Sequence, residues 1–155
     1  MPQETDRADI AFLPPFIPAS AIALGLGLHF LWPLEFLPED GASWFGWLLL
    51  ATAFAIAGAA AYEMKRARTH VDVRKPSTRI VTGGIFAHSR NPIYLSMALA
   101  VLAISVVANS LWVLLLAAPT ALALQKIAIE PEERYLECKF GGDYLDYKAR
   151  VRRWI

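Results

Sequence analysis

Charge is what this sequence has least of. Asp, Glu, Lys and Arg make up only 19% of its 155 residues, whereas soluble domains carry about 25%. The few charges nearly cancel, at net +1, which excludes a general electrostatic pull toward nucleic acid. One cysteine, Cys138, excludes an intramolecular disulfide. His29, His70, His88 and that cysteine stand at unrelated spacings, so no metal site is expected. There is no Ser-His-Asp arrangement, no phosphate-cradling glycine loop and no internal repeat. The opening "MPQETDRADI" sets Glu4, Asp6 and Asp9 against a single Arg7. That is the wrong charge for the n-region of a signal peptide, so the first apolar run is expected to be a retained span.

What the chain does have is apolar residues in long runs: 56% of the total, with a mean hydropathy of +0.39. A membrane helix needs ~20 mostly apolar residues to cross ~30 Å of hydrocarbon. Four runs approach this, at about 15–37, 44–64, 92–107 and 110–129. Only "ANS" (108–110) separates the last two, which predicts an antiparallel hairpin. The expected fold class is therefore an all-α integral membrane protein with about four transmembrane helices. One domain, 1–155, divides into a tail (1–14), spans one and two (15–64), a loop (65–91), the hairpin (92–129) and a second tail (130–155).

Basic residues set the expected orientation. Lys65, Arg66, Arg68, Arg74, Lys75, Arg79 and Arg90 lie between spans two and three. Lys126, Arg134, Lys139, Lys148, Arg150, Arg152 and Arg153 lie in or after the end of span four. The 38–43 loop and the 108–110 turn have none. Cytoplasmic loops carry the positive excess, so both termini and the central loop are expected in the cytoplasm of a multi-pass cell-membrane protein. Trp32, Trp44, Trp47 and Trp112 fall at the opposite boundary, as an aromatic belt would. The outer loops are too short to build a site, so any site is expected at the cytoplasmic ends.

Two polar segments mark those ends. In "SRNPIY" (89–94), Asn91 and Pro92 suit the cap and first position of a helix. Arg90 suits snorkelling to headgroups and Tyr94 an interfacial belt. In "QKIAIEPEERYLECKFGGDYLDYKARVRRWI" (125–155), Pro131 is expected to kink or restart the helix. Glu132 and Glu133 then fall in the first turn of a new cytoplasmic helix, where the dipole favours acids. Tyr135, Leu136, Phe140, Tyr144, Leu145, Tyr147 and Val151 recur at partly helical spacing, and Gly141–Gly142 should break that helix in two. An amphipathic pair lying on the membrane is one reading of this tail. Acids make a poor anchor on an anionic leaflet, however, and a bound cation is a better reason for them.

The ordered pair "RNPIY" and "EERYLECKFGGDYLDYKARV" around an apolar hairpin resembles the isoprenylcysteine carboxyl methyltransferase family, a group that includes the phospholipid N-methyltransferases. Arg90, Asn91, Pro92, Tyr94, Glu132, Glu133, Leu136, Phe140, Gly141, Tyr144 and Tyr147 meet its signature, which spans about residues 76–151. The resemblance implies a methyltransferase that uses S-adenosylmethionine, releases S-adenosylhomocysteine and acts on a lipophilic or lipid acceptor in the bilayer. It places the cofactor among Thr78, Arg79, Ile80, Val81 and Phe86, and among Asn91, Pro92, Ile93, Tyr94, Glu132 and Glu133. Carboxylates suit the sulfonium and ammonium, Phe86 and Tyr94 suit the adenine, and Asn91 with free backbone amides suits the carboxylate. Glu133 and His88 are the candidates for a base. The prenylcysteine enzymes carry an arginine for the substrate carboxylate where this chain has Ala128, which argues against a prenylcysteine substrate. A carboxylate or thiol acceptor, a phospholipid headgroup amine and a non-catalytic membrane scaffold remain as readings, and oligomeric state is not legible.

Overall fold

A computed structural model describes residues 13–38, 43–69 and 77–155. The expectations for residues 1–12, for the 39–42 stretch of the first loop, and for His70, Arg74 and Lys75 lie outside the described residues. The regular structure of the described residues is all helical, with no strand. Helices α1 (Phe16–Leu31), α2 (Ser43–Arg66), α3 (Pro92–Val107), α4 (Leu111–Leu124), α5 (Glu130–Phe140) and α6 (Gly142–Arg150) are joined by a 3-10 turn at Gly84–Ala87 and a π-helical stretch at Gln125–Ile129.

Among the described residues two helices are long and apolar enough to cross a membrane: α2, with 24 residues, and the continuous Leu111–Phe140 helix, with 30. The other two expected spans, α1 and α3, are apolar but have 16 residues each, about 24 Å at 1.5 Å per residue. Span one thus stops short of its expected end at 37. Pro33 disfavours helical backbone at the residue before it, and Trp32 leaves the helix at φ −137°, ψ 86°. The chain beyond it satisfies its backbone on the hairpin turn instead. Phe36 and Leu37 donate their N–H groups to Asn109 Oδ1 at 3.1 and 2.9 Å, and Asn109 Nδ2 donates to the Leu37 carbonyl. Asn109 makes this turn at φ +44°, a conformation asparagine tolerates better than most residues. Ser110 then caps α4 by accepting from the Val113 N–H.

At Pro131 the helix continues without a restart, and Glu132 and Glu133 lie in the first turn of α5 as expected. The preceding π turn, in which the Glu130 N–H reaches the Gln125 carbonyl, widens the ladder, and α5 follows without interruption. An α ladder would press the proline ring on the carbonyl four residues back; the wider turn relieves that contact. The expected break at Gly141–Gly142 is present, with Gly141 at φ +53° between α5 and α6.

Small residues bring the helices close. On α2, Gly46, Ala53 and Ala60 are buried at seven-residue intervals along the face packed on α3. Such small-residue stripes let backbones approach where lipid offers no hydrophobic drive. A Cβ at Gly46 would lie 2.7 Å from Val107 Cγ2 and 2.8 Å from the Val107 backbone N. Gly58, on the same helix, has open space in that direction. Gly46→Ala should therefore lower the thermal unfolding midpoint in detergent, at a cost of about 1–3 kcal/mol. Gly58→Ala should leave it unchanged or raise it. Equal responses would show that α2 does not pack as described.

Candidate functional site

The "SRNPIY" segment and the two acids of α5 meet at the end of the bundle away from the tryptophans Trp32, Trp44, Trp47 and Trp112. Asn91 stands at the N-cap of α3 with Pro92 at the first helical position, as expected. Its side chain does not cap the helix. Asn91 Nδ2 donates to Glu133 Oε1 at 3.4 Å and to the Arg153 carbonyl at 3.2 Å. Both hydrogens of that amide are thereby engaged.

Glu133 is the centre of the arrangement and is only 3% exposed. Arg153 Nη2 lies 2.7 Å from its Oε2, and Arg153 Nε and Arg90 Nη2 each lie 3.3 Å from its Oε1. A carboxylate so far from water needs such partners, because desolvating an unpaired charge costs several kcal/mol. The hydrogen bond it donates to Glu133 also holds the Arg153 guanidinium above its ordinary pKa. Arg90 is not fully used. Its side chain is 7% exposed, yet Nε and Nη1 have no acceptor.

Glu132, the neighbouring residue, turns the other way. Its Oε2 accepts from the Tyr94 hydroxyl at 2.7 Å, while its Oε1 takes no hydrogen bond among the described residues. Tyr94 is 4% exposed, so it belongs to the interior rather than to an interfacial belt. It packs with Leu124, Ala128 and Ile129.

The last residues close over this cluster. The Arg90 N–H donates to the Arg152 carbonyl at 3.0 Å, and Ser89 Oγ to the Arg153 carbonyl. Trp154 packs against the Tyr94 group and donates from Nε1 to Gln125 Oε1 at 3.2 Å. From α6, Tyr147 donates to the Phe86 carbonyl at 2.7 Å, which ties the 3-10 turn to the tail. Tyr144 meets Tyr147 edge-on at 6.0 Å. Burial pushes both hydroxyls far above the usual tyrosine range, so they stay neutral donors; for Tyr144 the Glu133 charge adds to this and Arg90 opposes it.

The remaining expected residues divide. Thr78, Arg79 and Ile80 line a separate open cleft of about 390 Å³ together with Thr82, Phe140 and Asp143. Val81 is half-buried and outside that lining. Phe86 is buried, Ile93 half-buried and His88 exposed. No group of residues suited to a metal occurs among the described residues. Sequence reasoning missed Arg153 and Trp154, whose basic context read only as an orientation signal. It also missed the unshared donors of Arg90, for which no pattern in the sequence is a sign.

A helical bundle with membrane-length apolar helices and a buried acid–arginine cluster at one end defines a class of membrane protein. A family model for phospholipid methyltransferases matches residues 42–143, well over half of the chain, and the chain belongs to that family. The match includes Arg90 to Tyr94 and both acids. An uncharacterized protein of Haemophilus influenzae is 50% identical over 34 residues, which cover 22% of this chain and 54% of that protein. The chain thus spans about half the length of the curated relative it matches. No solved structure matches.

Removing the central carboxylate leaves two guanidinium groups facing each other. Glu133→Ala should cost about 3–5 kcal/mol, read as a fall in the detergent unfolding midpoint. Arg153→Ala should cost less, because that side chain is 30% exposed and Arg90 still partners the acid. The reverse order would mean that Glu133 is not the centre.

Proposed function

We propose that this protein moves a methyl group from S-adenosylmethionine to a lipophilic acceptor, at the cytoplasmic face of the cell membrane. In this reading α1 to α4 all span the bilayer and both termini are cytoplasmic. The lysine and arginine distribution supports that orientation, as do the tryptophans gathered at the other end.

The observation that carries the reading is the unequal use of the two acids. Glu133 is fully engaged by Arg90, Arg153 and Asn91, and so acts as the anchor of the site. Glu132 keeps one carboxylate oxygen free beside Tyr94. The cofactor is a zwitterion with an added sulfonium charge, and the residues present fit it. Glu132 Oε1 is an open acceptor for its cationic part. Arg90 Nε and Nη1, buried without acceptors, suit its carboxylate better than Asn91, whose amide is already engaged. When bound, this cofactor supplies a methyl group on positively charged sulfur, which leaves as a neutral thioether. The chain's own part is to orient that group, exclude water and position the acceptor in line.

The acceptor can be narrowed by what the site lacks. Glu133 has no free oxygen for a proton, and His88 is exposed. An acceptor that arrives already anionic, a carboxylate or thiolate, needs neither. A phospholipid amine is the second reading, and the matched family's own description favours it. At Ala128, fully buried in the Tyr94 cluster, there is no cation to hold an acceptor carboxylate.

Calorimetry on the purified protein in detergent or nanodiscs tests the cofactor reading. Wild type should bind S-adenosylmethionine and S-adenosylhomocysteine. Glu132→Ala should lose S-adenosylmethionine at least about 100-fold, the order expected for one desolvated charged contact, and remain folded. Unchanged affinity in that variant would remove Glu132 from the site. Methyl transfer into fractionated lipid extracts then separates the amine from the anionic acceptor.

A further inference from the structure

The cleft formed by residues 78–82 and the α5–α6 junction lies outside the charge cluster but is joined to it through one turn of backbone. Gly141 ends α5 at φ +53°, and α6 restarts with Asp143 and Tyr144 in its first turn. Tyr144 is buried within electrostatic reach of Glu132, Glu133 and Arg90. Asp143, one residue earlier, lines the cleft. Arg79 lines the same cleft, with Ile80 and Phe140 as its apolar lining. Arg79 and Asp143 are both exposed, and neither side chain forms an ion pair or hydrogen bond with another described residue. At about 390 Å³ the space is within the range of small-molecule sites.

These parts are complementary to a nucleoside rather than a nucleotide. A carboxylate accepts two O–H donors from a vicinal diol with good geometry, and it repels a phosphate. A guanidinium stacks on a neutral purine face. We propose that Asp143 is a binding residue that accepts the ribose hydroxyls of the bound adenosine group, with Arg79 over the purine and Phe140 beside it. This rests on the cofactor reading above and extends it. The zwitterionic end of the ligand lies on the Tyr144 side of the turn and the nucleoside end on the Asp143 side.

The test is a cycle on the full chain in detergent. S-adenosylhomocysteine and its 2′,3′-dideoxy analogue are titrated calorimetrically into wild type, Asp143→Ala and Arg79→Ala, each checked for folding by thermal unfolding. Wild type should bind the dideoxy analogue about tenfold more weakly than S-adenosylhomocysteine. Asp143→Ala should bind S-adenosylhomocysteine about tenfold more weakly than wild type and no longer distinguish the two ligands. Arg79→Ala should weaken both equally. An Asp143→Ala protein that still discriminates by the wild-type factor overturns the assignment while leaving the cofactor reading intact. Wild type that binds neither ligand overturns both.

Discussion

The site depends on one carboxylate being buried. Glu133 has almost no contact with water, and three side chains from two separate parts of the chain converge on it. Arg90 and Asn91 come from the entrance to α3, and Arg153 comes from the end of the tail. The interaction is therefore a three-way clamp rather than a pair. An ion pair buried this deeply is weak evidence of net stability, since hydrophobic replacement is often neutral or better. What it fixes is position. With Glu133 held, its neighbour Glu132 is aimed some 100° around the helix at Tyr94, leaving one oxygen unshared.

The opposite end of the bundle solves a different problem. It has no Lys or Arg in the hairpin turn and must satisfy its backbone without charge. Asn109 does this with three hydrogen bonds to the 36–37 segment, and Trp112 adds one to the Trp32 carbonyl. Between the two ends, Gly46, Ala53 and Ala60 let α2 lie against α3 with little side-chain volume. Exposed Phe, Leu and Trp side chains cover the outer faces of α1 and α2. For a membrane protein this is the ordinary arrangement, with small residues inside and bulky apolar ones toward lipid. The buried acid–arginine cluster lies at one end, away from the tryptophans.

Much of this was legible in the sequence where the signal is local. The 108–110 hairpin, the Asn91–Pro92 helix start and the break at Gly141–Gly142 each follow from a residue's own backbone preference. The pairing of the two polar segments was legible only through a family pattern. The rest depended on where distant parts of the chain meet. Nothing local in "RVRRWI" states that Arg153 returns to Glu133 or that Trp154 packs against the Tyr94 cluster. The early end of α1 is local in origin, at Pro33, but an unbroken apolar run concealed it. Asn91 illustrates the difference: its position was set by its own backbone, and its side-chain partner by residues 42 and 62 positions away.

The π turn and the acid pair are best understood together. Along α4 the buried positions are Val113, Ala117, Thr120 and Leu124, the three- and four-residue steps of a regular helix face. Continued at that period, the inward positions would be 128 and then 131 or 132. The structure buries Ala128 but also Ile129, and then Glu133, so the face advances by five residues from Leu124 to Ile129 before resuming its four-residue step. One inserted residue rotates everything beyond it by about a third of a turn relative to a regular helix. Without that rotation, Glu132 would occupy the arginine side and Glu133 would swing away from Asn91. The same widening relieves the clash that Pro131 would bring to a regular ladder, so the proline sits where the turn has already made room for it. The irregularity that hides the helix's continuity in the sequence is thus what assigns one acid to anchor the fold and leaves the other with a free oxygen.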